Sequence, residues 1–239
     1  MVYNRFILKK ERLMKARNII LTVLLGLAII ISTITFSIGL PIYLRPFYYA
    51  HIDALDMPSE TGWSKQTIKE AYDEVLDYLT LPGGEFGSGE LSFSEEGASH
   101  FADCKALFNL NLWAFIISAT FIITVCILKK RGLIEFSCGS GYALCLCAGA
   151  TTLLLFALVG GVAAIDFDTA FYVFHAIFFP GKDNWLFDPR ADEIINVMPQ
   201  EFFMNCAILI VSSIITISLT LIIIGAVARI RAKKTNQTT

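Results

Sequence analysis

Residues 168–203 read DTAFYVFHAIFFPGKDNWLFDPRADEIINVMPQEFF and lie between two long apolar runs. A lipid-facing helix has no use for their acidic residues, and a solvated linker has none for their aromatic clusters, so the stretch reads as chain held at a membrane surface. The flanking runs, 136–165 and 202–228, contain no Asp, Glu, Lys or Arg, and neither do 18–44 and 106–128. Each is longer than the roughly 20 residues a helix needs to cross about 30 Å of hydrocarbon. With 55% hydrophobic residues and a mean hydropathy of +0.62, the expected fold is an all-α integral membrane protein. It has four transmembrane helices, and its outer loops 45–105 and 166–201 form a small extracellular subdomain.

Most of the 19 Lys and Arg residues fall in the tail 1–17, the short loop 129–135 and the tail 229–239. The acidic residues concentrate in the other two loops, which predicts a cell-membrane protein with both termini cytoplasmic. Basic residues (Lys9, Lys10, Arg12, Lys15, Arg17) precede the first run. Its length, and the absence of a small-x-small cleavage site, predict a retained helix rather than a secretory signal. The third run is rich in Gly and Ala, including Gly139, Gly149, Gly160 and Gly161, which favours close helix contact and a central place in the bundle.

Tyr43, Phe47, Tyr48 and Tyr49 suit an interfacial aromatic belt. Pro58 to Gly62 reads as a turn, and Ser64 to Leu79 as an amphipathic helix with Ile68, Tyr72, Val75, Leu76 and Leu79 on one face. Ser94 followed by Glu95 and Glu96 announces a helix that runs through His100 and Asp103 into the second span, with Asp103 on the face of His100. Asp168 is expected to cap a short interfacial helix from Thr169 to Phe179. Pro180-Gly181 ends that helix, Asp192 to Met198 forms a further helical turn, and Pro199 starts the fourth span.

No nucleophile elbow, phosphate loop, dinucleotide motif or His-Glu-x-x-His occurs, and there is no basic face for nucleic acid. The cysteines, among them Cys104, Cys138 and Cys206, form no Cys-x-x-Cys pair and read as packing residues. His51, His100 and His175 all fall in the predicted outer segments. His175, the lone ionisable group of an apolar helix, is either hydrogen-bonded to a neighbouring loop or functional. Asp103 is a candidate orienter of His100, and Asp188, Asp192 or Glu201 of His175 or as partners of Arg45 or Arg190. A three-histidine metal site is not supported by any spacing.

Two blocks, Ser94-Glu95-Glu96-Gly97-Ala98-Ser99-His100-Phe101-Ala102-Asp103 and Phe174-His175-Ala176-Ile177-Phe178-Phe179-Pro180, carry a resemblance. Together with Asn184-Trp185-Leu186-Phe187-Asp188-Pro189 and Pro199-Gln200-Glu201-Phe202-Phe203, they make the chain similar to the lipoprotein intramolecular transacylases (Lit) of Gram-positive bacteria. That resemblance implies four spans and transfer of the sn-2 acyl chain of a diacylglyceryl lipoprotein to the α-amino group of its own N-terminal cysteine. It implies His100 and His175 as the essential histidines at the extracellular face, with no metal or cofactor. The substrate is then the diacylated lipoprotein N-terminus, with membrane lipids as surroundings and the oligomeric state open. Asp103, Phe171, Phe178, Trp185, Phe187 and Asp188 become candidates for substrate binding. The alternatives are a non-catalytic four-helix scaffold or receptor whose aromatic outer loops dock a partner, and a metal-dependent membrane hydrolase.

Overall fold

The structure, a computed structural model, describes residues 2–134 and 141–238, with side chains over 12–134 and 141–235. The start of the third apolar run, 136–140, with Cys138 and Gly139, lies outside the described residues. The described chain is helical: α1 (Val2–Tyr43), α2 (Arg45–Ala54), α3 (Met57–Thr61), α4 (Lys65–Thr80), α5 (Glu95–Lys130), α6 (Gly141–Ile165), α7 (Phe167–Phe178), a 3-10 turn (Glu193–Asn196) and α8 (Gln200–Thr238). Four of these helices, α1, α5, α6 and α8, are long and apolar enough to cross a membrane. The chain divides into two compact units, and the division falls within each of those four helices.

One unit comprises Met1–Phe36, Ala114–Leu158 and Ser213–Thr239. In it α6 and α8 meet at small residues, which let backbones approach closely in lipid. A Cβ on Gly149 would lie 2.7 Å from the Ser218 carbonyl oxygen, and one on Gly225 2.8 Å from that of Tyr142, so α6 and α8 approach backbone to backbone. The predicted close contact of the third span is therefore present. Only one stripe of α6 (Ala148, Gly149, Thr152) is buried, while Leu154 is 75% exposed.

The other unit comprises Ser37–Trp113 and Val159–Ser212. Its core forms because α4 buries the face its period predicts: Ile68, Ala71, Tyr72, Val75, Leu76 and Leu79. Ser64 caps α4 by accepting from the Thr67 N–H at 3.1 Å. Tyr48 corrects the aromatic-belt expectation. As part of α2 it is fully buried, stacks on Tyr72 with ring centroids 3.5 Å apart and donates its hydroxyl to the Val197 carbonyl at 2.6 Å. An amphipathic α4 needs an aromatic partner, and α2 turns Tyr48 inward to provide it. The expected turn at Pro58 is the short helix α3, ended by Gly62 at φ 78°. Arg45 pairs with Asp73 and Asp77, and Tyr49 donates to Asp73 at 2.6 Å.

Two loops are tied to the start of α5. Glu193 and Ser92 exchange hydrogen bonds, Glu193 N–H to the Ser92 carbonyl at 3.0 Å and Ser92 N–H to the Glu193 carboxylate at 2.8 Å. The Asp192 carboxylate accepts from Ser94 N–H at 2.8 Å and from the Ser94 hydroxyl at 2.9 Å. Ser94 in turn accepts from Gly97 N–H at 2.9 Å, the N-cap bond its sequence announced. Gly97 is required here, because a Cβ would run into the Asp192 carboxylate and lie 3.3 Å from the Phe187 ring.

Candidate active site

The charge-free run of α5 begins at Ala106, and His100 and Asp103 precede it. His175 sits in the last turn of α7. The cap of that helix is Asp166, not Asp168: its carboxylate accepts from the Thr169 N–H at 3.0 Å and from the Thr169 hydroxyl at 2.6 Å. Asp168 lies in the first turn instead, paired with Gln200, because α7 starts one residue after α6 ends. α7 closes at Phe179 and is followed by Gly181 at φ 72°, a left-handed turn that glycine accommodates.

These elements bring His100 and His175 together, with ring centroids 5.7 Å apart. Both are buried, 5% and 6% exposed. The Nδ1 of His175 lies 2.8 Å from the Phe171 carbonyl oxygen one turn earlier. A carbonyl only accepts, so this Nδ1 carries the proton and Nε2 carries the lone pair. The expected carboxylate partners of His175 are not used in this way: Asp192 serves Ser94, Asp188 accepts from the Arg190 N–H at 3.0 Å, and Arg45 is held by Asp73 and Asp77.

Aromatic rings enclose the pair. Trp185 stacks on His175 at 4.3 Å and Phe171 lies 4.3 Å from it. Phe179 and Phe187 meet His100 edge-on at 4.8 Å and 5.5 Å. Phe187 is backed by Phe101 at 5.7 Å, which stacks on Phe86. Phe178 is half exposed and packs on Phe174 at 4.7 Å, one position round the helix from the histidine. Among the proposed binding residues, Phe171, Trp185 and Phe187 thus converge on the pair. Phe178 stands on the exposed face of α7, and Asp188 shapes a turn.

Asp103 is the polar edge of the site. It pairs with Lys182 at 2.5 Å and accepts from the Asn184 amide nitrogen at 3.2 Å. Burial would raise its carboxyl, but the bonds from Lys182 and Asn184 hold it below the ordinary carboxylate value. For His100, burial first and the neighbouring His175 second push the imidazole down to about 4, against the pull of Asp103. Burial also lowers His175, less the effect of its Phe171 bond. Both rings are therefore neutral near pH 7 and each has a lone pair to offer. His51 lies elsewhere, with Nδ1 2.7 Å from the Phe47 carbonyl oxygen and its ring 5.5 Å from Phe202. Among the described residues, no group of three or more His, Cys, Asp or Glu is placed to hold a metal ion.

Phe179 against His100, Lys182 as a partner of Asp103 and Asn184 as an individual residue are not marked out by the sequence. A phenylalanine among phenylalanines and an amide in a turn carry no signal of their own.

Residues 23–203 match the family model described as lipoprotein intramolecular transacylase Lit. The chain is similar to the solved structure of the membrane integral lipoprotein intramolecular transacylase Lit from Bacillus cereus. The identity is 26% over 93% of this chain and 99% of that one, with a TM-score of 0.79. Two structures of that protein with a histidine replaced by arginine or by alanine share the fold, each at 24% identity and a TM-score of 0.76, over 97% and 95% of this chain and 99% of theirs. No curated protein matches by sequence.

Proposed function

The chain belongs to the lipoprotein intramolecular transacylase family and is an integral-membrane acyltransferase, and from that premise we propose that His100 and His175 carry the transfer. The substrate is a diacylglyceryl lipoprotein, whose sn-2 acyl chain moves to the α-amino group of its own N-terminal cysteine to give the lyso form. The observation that carries this reading is the meeting of two buried, neutral imidazoles from distant segments at the edge of an apolar helix.

His175 is the base. Its Nδ1–H is spent on Phe171, so its Nε2 accepts a proton from the substrate ammonium, freeing the amine to attack the sn-2 carbonyl carbon. His100, lowered to about 4, is the weaker base and suits the second transfer. It takes the proton that the nitrogen sheds once it is bonded to the acyl carbon. The His175 imidazolium then protonates the departing glyceryl oxygen as the C–O bond breaks. Ammonium and ester become amide, alcohol and one proton, which leaves from His100 to solvent. Holding amine and ester on one molecule between two fixed rings supplies the proximity that an uncatalysed transfer lacks.

Phe171, Trp185 and Phe187 are proposed to border the acyl chains, and Asp103 to receive the ammonium. The charge distribution of the tails and loops supports a membrane orientation with both termini cytoplasmic and the site at the extracellular face. The family membership leaves the docking-scaffold alternative without support. The test is purified protein given a synthetic diacylated lipopeptide, with and without chelator, followed by mass-spectrometric location of the acyl chains. Wild-type protein converts it to the lyso form in both conditions, and His100→Ala and His175→Ala do not. N-acylated product from either variant at the wild-type rate removes that histidine from the mechanism, and loss of product with chelator returns the metal alternative.

A further inference from the structure

Two buried polar atoms of the site have no hydrogen-bond partner among the described residues: His100 Nδ1 and Asn184 Oδ1. An orphaned polar atom in a closed environment costs about 1–3 kcal/mol, so two of them in one site call for an explanation. The chemistry of Asp103 supplies it. Lys182 holds this carboxylate in its charged form, and a charged carboxylate only accepts. The side chain of Asn184 must therefore turn its nitrogen to Asp103, at 3.2 Å, and to the Ser99 hydroxyl, at 3.4 Å. Its oxygen is left facing away from both. Ser99 and Asp103 precede and follow His100 on α5, so the amide that bonds both sits against the turn that carries His100.

The other ring nitrogen faces a thiol. Cys104 Sγ lies 3.4 Å from His100 Nε2, and burial pushes its thiol up to about 12, so it remains S–H. A thiol donates weakly and its sulfur also accepts weakly, so this contact accommodates a lone pair on Nε2 and leaves the tautomer to be set at Nδ1.

We infer that Asn184 is a positioning residue for the transfer: in the working site its side-chain oxygen closes onto the Nδ1–H of His100, which gives both orphaned atoms a partner and keeps the lone pair on Nε2. Asp103, Asn184 and His100 form a chain in which carboxylate fixes amide and amide fixes imidazole. The amide transmits orientation without adding a negative charge at the ring, so His100 stays neutral. His175 reaches the same tautomer through the Phe171 carbonyl, and both rings then present Nε2 as the acceptor. Two neutral acceptors side by side suit a substrate that arrives as an ammonium and sheds two protons from one nitrogen. The inference rests on His100 being a working residue.

The experiment uses the full chain in detergent micelles, with nitrogen-15 in its histidines, comparing wild type, Asn184→Leu, Asn184→Asp and His100→Ala. Two-bond nitrogen–proton correlations read the tautomer, and initial rates on the diacylated lipopeptide read kcat and KM against pH. Wild-type His100 is expected with its proton on Nδ1. Asn184→Leu is expected to move it to Nε2 and to lower kcat on the order of 10- to 100-fold, the usual cost of removing the group that orients a working imidazole, with KM unchanged. Asn184→Asp keeps an acceptor at Nδ1, so it retains the tautomer and most of kcat. Its negative charge favours the imidazolium, so activity is lost at a higher pH on the acid side. The other charged or titratable groups facing His100, namely Asp103 and Cys104 on α5, His175 on α7 and Lys182, are the same in all the Asn184 variants.

A wild-type proton on Nε2, or Asn184→Leu with wild-type tautomer and kcat, overturns the inference. If Asn184→Leu does not fold, an unmoved acid limb in Asn184→Asp overturns it. Full activity in His100→Ala instead overturns the histidine reading on which it rests. An inactive His100→Ala beside an unaltered Asn184→Leu overturns the role of Asn184 alone.

Discussion

Replacing Gly97 by alanine tests how the loop carrying Phe187 and Asp192 is seated on α5. On an isolated helix the change is favourable by about 1 kcal/mol. Here the new Cβ runs into the Asp192 carboxylate and comes within 3.3 Å of the Phe187 ring. The carboxylate is not free to swing aside, being 4% exposed and bonded to both donors of Ser94 at 2.8 Å and 2.9 Å. Hydrogen bonds to a charged group contribute about 1.5–3 kcal/mol each. Losing both at the lower end, less the helical gain, leaves a net destabilisation of about 2 kcal/mol, or a fall in melting temperature of roughly 4–8 °C for a chain of this size. Activity falls further than stability, because Phe187 moves off His100. The assay is thermal unfolding in detergent together with initial transacylation rates, for Gly97→Ala, Asp192→Ala and the double variant. The double variant has lost the group that clashes, so its cost is smaller than the sum of the singles. A Gly97→Ala protein as stable and active as wild type would refute this seating of the loop.

Tyr48→Phe removes the donor to the buried Val197 carbonyl while keeping the ring on Tyr72, and is expected to lower stability by about 1–2 kcal/mol in thermal or denaturant unfolding. His100 is lowered from 6.5 to about 4, so the unfolded chain takes its proton first. Its contribution to stability is complete above pH 6.5 and falls away towards pH 4, by up to about 3 kcal/mol, and His100→Gln should flatten that part of the stability-versus-pH curve. Trp185→Ala removes the ring stacked on His175. Such contacts contribute about 0.5–1.5 kcal/mol, so kcat should drop roughly 2- to 10-fold with the spans intact by circular dichroism.

The four spans were legible because charge cannot be left in lipid, which makes each charge-free run nearly self-identifying. The face of α4 and the Ser94 cap were legible for a similar reason, since period and capping chemistry are local. Tyr48 was not, because an interfacial belt and a buried aromatic core draw on the same residues, and only the path of α2 separates them. Asp166 and Asp168 are equally suited to cap a helix, and the single residue between α6 and α7 decides in favour of Asp166. Asp192 is near enough in sequence to suit His175, yet the chain folds it onto Ser94, a pairing across 98 positions that nothing local encodes. The histidines stood out as ionisable groups in apolar or interfacial surroundings, and the resemblance assigned them a common role. Their meeting depends on the Pro180-Gly181 turn and on Gly97, whose effect is tertiary.

The central claim, that His100 and His175 act as one proton-transfer unit, is tested most directly by single-turnover rate constants for wild type, His100→Ala, His175→Ala and the double variant on a lipopeptide carrying a labelled sn-2 chain. Groups that act as a unit are strongly non-additive. The account predicts that each single variant loses nearly all transfer of label to nitrogen and that the double variant is no slower than the worse of the two. Independent, multiplying losses, or wild-type transfer in either single variant, would contradict it.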